Sequence, residues 1–129
     1  MFKNILIATD GSTLASHAVT NGLSLAKAVG AKVYMIHVDA PMHAAQIKSK
    51  AIEMLKAAAV QASQVGVQCD TIFVEHDKPH LAIVAAAKDK GCDLLVMATH
   101  GRSALTEALL GSVAHGVLKH THIPVLVCR

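Results

Sequence analysis

Tryptophan is absent from this 129-residue chain, and all aromatic residues together make up only 2% of it. A protein that stacks single-stranded bases needs aromatic platforms, so this composition argues against that ligand class. Cysteine is scarce too, with three residues and no C-x-x-C pair. An odd count without paired spacing excludes a disulfide framework and points to buried thiols in a reducing compartment, since Cys69, Cys92 and Cys128 each sit in or beside an expected strand. No apolar run approaches the roughly 20 residues of a membrane span. The first residues lead directly into a strand and carry no charged-then-apolar leader, so the expectation is a cytoplasmic protein. Charge of one sign is not in excess: 12 basic residues face 9 acidic ones, and the net charge of +3 is scattered, too mild to argue for nucleic acid. The chain contains no G-x4-G-K-[ST] and therefore no Walker lysine, no H-E-x-x-H and no Cys/His quartet. No paired carboxylates accompany the main glycine loop.

What is present is an aliphatic core, because 53% of the residues are hydrophobic while aromatics are few. The length suits a single domain over 1–129, and no linker, repeat or low-complexity segment interrupts it. Ile5-Leu6-Ile7-Ala8 reads as a strand and Asp10-Gly11-Ser12 as a turn, with Ser12 as a helix N-cap. Leu14, Ala15, Ala18, Val19, Gly22, Leu23, Ala26 and Val29 recur at helical spacing, and Gly30 ends that helix. Val33 to Val38 is the second strand. A long helix then runs from about His43 to Val65 with Ile47, Ile52, Leu55, Ala59 and Ala62 inward; Lys48, Lys50, Glu53 and Lys56 form its solvated face, and Gly66 ends it. Thr71 to Val74 is the third strand. A helix with Pro79 in its first turn buries Leu81, Ile83, Val84 and Ala87 and stops at Gly91. Leu94 to Ala98 is the fourth strand, a helix covers about Ser112 to His120, and Pro124 to Cys128 is the fifth strand. Strictly alternating strands and helices with near-continuous apolar strands imply an α/β fold, a mainly parallel sheet with helices on both faces.

The densest chemical signal is Asp93 to Ser112, an apolar run that stops at Thr99-His100-Gly101-Arg102-Ser103 and leads through Gly111-Ser112 into a helix. Strand, glycine loop and helix N-terminus together favour an anionic ligand, through backbone N–H groups and the helix dipole. Ser112 also reads as a plain N-cap and Asp10 as a turn cap, readings compatible with a ligand role, and Arg102 reads as a loop arginine that can pair with phosphate oxygens. His100 has no nucleophile or orienting partner in the sequence, so it reads as a hydrogen-bonding loop residue rather than a base. Nine histidines invite a metal reading, but His76 and His80 are split by Pro79, and His120 and His122 merely flank a helix end, so no metal site is expected.

The whole chain resembles the universal stress protein family: ILIATDGS at the start, HV at the end of the second strand, DLLVMATHGRS, GSVAHGVLKH and the terminal PVLVCR. The nucleotide-binding branch of that family carries G-x2-G-x9-G-[ST]. Gly101, Gly111 and Ser112 match this pattern, and Ala98 stands at the first glycine. The resemblance implies a Rossmann-like open parallel sheet of five strands in the order 3-2-1-4-5. It also implies a homodimer joined through the last strand, Val125-Leu126-Val127, which an uncovered apolar edge would itself favour. It implies ATP, with magnesium, as a bound signal, with Asp10 and Val38 toward the nucleoside and Gly101, Gly111, Ser112 and Val113 toward the phosphates. Little chemistry is implied, at most slow ATP hydrolysis. The alternative is a nucleotide-independent dimeric interaction protein of the same family, which Ala98 would favour.

Overall fold

The computed structural model describes residues 1–42, 44–100 and 110–129. Strands and helices alternate as β1 Asn4–Ala8, α1 Thr13–Val29, β2 Lys32–Asp39, α2 Ala45–Gln64, β3 Cys69–Glu75, α3 Pro79–Asp89, β4 Leu94–Ala98, α4 Ser112–His120 and β5 Val125–Cys128. The strands form one sheet in the order β3-β2-β1-β4-β5, with every pairing parallel. The chain starts in the middle of the sheet, winds outward through β2 and β3, and crosses back to β4. Right-handed crossovers then put α1 and α2 on one face and α3 and α4 on the other. β1 shows why its sequence lacks alternation: Ile5 and Ile7 point toward α1, Leu6 points toward α3 and α4, and all three are 0% exposed.

Local signals account for most boundaries. The Ser12 hydroxyl accepts a hydrogen bond from the Ala15 amide at 3.1 Å and starts α1. Gly30 takes a left-handed φ of +71° immediately after that helix. β3 is longer than its apolar core, because Asp70 and Glu75 continue the ladder with β2. An edge strand tolerates these polar residues, and Lys48 of α2 reaches Glu75 at 2.9 Å. Pro124 precedes β5 rather than opening it, although its carbonyl accepts the Leu95 amide at 3.0 Å.

The inward face of α2 differs from the sequence expectation. Ala51, Leu55, Ala58 and Ala62 are buried, Ala59 is half-buried, and Ile47 and Ile52 are 41% and 40% exposed. Three alanines in that row let α2 lie close to the sheet, whereas Ile52 is rotated about 100° from Ala51. Residue size misled the reading; the spacing of small residues decided the packing. Val29, at the last turn of α1, is likewise 39% exposed. The helix starts at Ala45 with no side-chain cap from Ala44, and His43 lies outside the described residues. Cys92 and Cys128 are buried, Cys69 is half-buried, and all three are unpaired thiols.

Candidate functional site

In an open parallel sheet, the connections from two neighbouring strands diverge to opposite faces where the strand order reverses, which leaves a crevice at their carboxyl ends. Here the reversal falls between β1 and β4, which pair through Ile5–Leu94, Leu6–Leu95 and Ile7–Val96. The turn after β1 and the segment after β4 therefore lie side by side, with the end of β2 next to β1.

The β1 turn is tied down by its own polar groups. The Thr9 amide donates to the Ile36 carbonyl at 2.9 Å, and the Thr9 hydroxyl accepts the Gly11 amide at 3.2 Å. Asp10 Oδ1 accepts the Ser12 amide at 2.9 Å, an Asx turn that hands the chain to the Ser12 cap. Gly11 sits at φ +79°, a backbone conformation strained for any residue with a Cβ. Asp10 is thus held as a turn residue, half-buried at the crevice. Val38 is half-buried near the end of β2 and packs toward α3 and α4.

On the β4 side, the Thr99 amide donates to the Cys128 carbonyl at 2.8 Å, and the Thr99 carbonyl accepts the Gly111 amide at 2.7 Å. That second bond closes the loop at its base. A Cβ on Gly111 would lie 3.2 Å from the Thr99 carbonyl oxygen and 3.3 Å from His100 Cα, so close backbone approach calls for glycine here. His100 Nδ1 lies 3.1 Å from the Thr99 hydroxyl. Gly101 and Arg102, two of the residues expected to meet phosphate, lie outside the described residues.

One expectation about this segment is corrected. Ser112 is not the N-cap: Gly111 occupies that position with extended backbone, and Ser112 is the first residue of α4. Gly111 has no side chain with which to cap α4, and the first amides of an α-helix have no partner within it. Ser112 and Val113 therefore lie at a helix start whose N-cap residue leaves those amides to other groups, an anion among them. Ala98, in turn, imposes no backbone penalty, because no described non-glycine residue has a positive φ. It is buried, pairs with Cys128 and joins the core cluster on the α1 side.

Sequence reasoning missed a group behind this edge. The buried polar residues among those described are Thr9, His37 and Asp39, all at the carboxyl ends of β1 and β2. The Asp39 carbonyl accepts the His76 amide at 2.9 Å, which joins the ends of β2 and the segment after β3. The signal was available: a histidine and an aspartate continue a strand whose other residues are mostly apolar. Among the described residues, no group of three or more His, Cys, Asp or Glu could hold a metal ion, and no helix is long and apolar enough to cross a membrane.

Comparison with known proteins agrees with this architecture. The profile described as the Universal stress protein family matches residues 1–129. The universal stress protein YxiE of Bacillus subtilis is 32% identical, with both chains covered in full. The solved structure of MJ0577 from Methanocaldococcus jannaschii superposes with a TM-score of 0.85 at 32% identity, covering 99% of this chain and 96% of that one. A universal stress protein solved in complex with cAMP gives a TM-score of 0.82 at 25% identity, covering 99% and 97%.

Proposed function

The chain belongs to the universal stress protein family, and from that premise we propose that it is a regulatory module that binds an adenine nucleotide at the carboxyl edge of its sheet, with ATP and magnesium as the physiological form. The observation that carries this reading is the placement of the Asp10 turn beside a glycine-closed loop base that leads into a helix whose N-cap is Gly111. The cAMP complex of a related protein supports the ligand class. In this assignment Asp10 and Val38 meet the nucleoside, and Gly101, Arg102, Gly111, Ser112 and Val113 meet the phosphates. Ala98 borders the site, and its strand backbone leaves only the steric cost of a methyl group there. The alternative reading of a nucleotide-independent protein rests on that methyl group.

Binding itself is the output, and turnover is slow at most. The ligand changes a surface rather than undergoing chemistry. That surface includes a homodimer contact through β5, an edge strand on which Leu126 is 39% exposed and Val125 and Val127 are half-buried. A second copy of the same strand would cover it with two-fold symmetry. Unpaired thiols fit a cytoplasmic setting.

Ser112→Asp tests the site. Ser112 is exposed at the first position of α4, where an acidic side chain favours the helix dipole, so the fold is retained, but its carboxylate repels phosphate. ATP affinity measured by equilibrium dialysis falls about tenfold or more. Unchanged affinity in the folded variant would remove α4 from the site.

A further inference from the structure

His37 is a buried ionisable residue for which the nucleotide reading has no use. It is 5% exposed and pairs in register with Phe73, whose ring centroid lies 6.2 Å from the imidazole with the planes 28° apart. Its Nδ1 lies 2.9 Å from the Thr9 carbonyl oxygen. A carbonyl only accepts, so Nδ1 carries the proton and donates, which fixes the tautomer of the neutral ring.

Thr9 is the residue between β1 and Asp10. Its amide is held by the Ile36 carbonyl and its hydroxyl by the Gly11 amide, while its carbonyl is held by His37. The amide bond to Ile36 prolongs the sheet ladder past the end of β1, and the His37 side chain then holds the carbonyl that leads into Asp10. β2 thus grips the residue before Asp10 at both of its backbone groups. An unheld carbonyl at this buried place would be costly and would let the turn rotate.

We propose that His37 is a positioning residue for the nucleotide site: by donating Nδ1–H to Thr9 it sets the direction in which the Asp10 turn leaves the sheet, and with it the affinity for the nucleoside. The proposal rests on the nucleotide reading of the site and adds a specific residue to it. The required element is a donor at the δ position of residue 37, not an imidazole as such.

A matched pair of variants separates this role from simple packing. Leucine and asparagine have nearly the same shape, but only asparagine has an N–H donor at the δ position. His37→Leu keeps an apolar side chain in the buried site and removes the donor; His37→Asn keeps the donor and buries an additional amide oxygen. Calorimetric affinity for ATP and for AMP, thermal midpoint and amide hydrogen exchange at Gly11 and Ser12 are measured for the wild type and both variants. The expected pattern is a crossed ranking. His37→Leu binds about tenfold more weakly and its Gly11 and Ser12 amides exchange faster. His37→Asn retains wild-type affinity and protection although its midpoint is no higher than that of His37→Leu. Full affinity in His37→Leu, or equal losses in both variants, would overturn the proposal. If the wild type binds neither nucleotide, the nucleotide reading itself fails. The exchange data then decide the role of His37: faster exchange confined to His37→Leu upholds the grip on the turn, and equal protection in all three proteins overturns it.

Discussion

The two ends of the same sheet treat polar groups differently. At the amino edge they close on each other. The Asp93 carboxylate, at the entrance to β4, accepts the Lys3 amide at 2.9 Å and the Asn4 amide at 3.1 Å, and Lys32 meets Asp70 at 2.9 Å. A hollow of about 420 Å³ there is lined by Lys3, Lys27 and Lys32, but α1 and α2 also end at it through Gly30 and Gly66. Helix C-termini favour cations, so these lysines face partial negative charge before they face any ligand. At the carboxyl edge, buried Thr9, His37 and Asp39 support turns, and α4 starts from a glycine N-cap. Positive charge alone would have nominated the amino edge; strand order and the helix start at Gly111 nominate the other.

The comparison breaks most visibly at Asp93. Asp93→Ala strands the Lys3 and Asn4 amides and is expected to cost about 2 kcal/mol in urea-unfolding stability while ATP affinity stays unchanged. The Ser112→Asp variant should show the converse, weaker ATP binding by about 1.4 kcal/mol at a thermal midpoint equal to or above that of the wild type. A variant that moved both quantities would contradict the division of labour.

Protonation sharpens the contrast. The His80 ring, in the first turn of α3, packs on Gly116 of α4 and lies 5.2 Å from the His120 ring. Burial first, then the neighbouring His120, Lys78 and His76, push its pKa below the usual 6.5. The unfolded chain takes up this proton more readily, so the contribution is fully present above the unfolded value and is lost as the pH falls through and below it. At Asp93, burial would raise the pKa, but the amides of Lys3, Asn4 and Asp93 itself, together with the N-terminal ammonium, outweigh it and hold the carboxyl below its ordinary 3.8. Its contribution persists above that value and is lost only in stronger acid. Urea midpoints are therefore expected to decline in two separate windows. His80→Gln should flatten the first and Asp93→Asn the second; a single shared window would merge the two edges. The smallest effect belongs to the solvent-facing Lys32–Asp70 pair, where Asp70→Asn should leave the midpoint nearly unchanged at physiological salt.

Strand and helix order was legible because each strand has a mostly apolar centre and Gly30, Gly66 and Gly91 follow the first three helices. The inward face of α2 was not, since alanine spacing set its approach to the sheet and the larger isoleucines drew the eye. At the site, Asp10 and Gly111 stand out as turn residues in any sequence reading. His37 does not, because its meaning depends on a carbonyl 28 residues away, just past the end of the neighbouring strand. The N-cap shifted from Ser112 to Gly111 because backbone contact with Thr99, invisible in the sequence, fixes where α4 begins.

The most direct test of which edge holds the ligand is a titration of ¹⁵N-labelled, nucleotide-stripped protein with ATP and magnesium, followed by amide chemical shifts. Shifts are expected to saturate and to cluster at Asp10, Gly11, Val38, Ser112 and Val113, with Lys3, Asn4 and Asp93 unmoved. No shifts up to millimolar ATP, or shifts confined to Lys27, Lys32, Gly66 and Val67 around the basic hollow, would contradict the account.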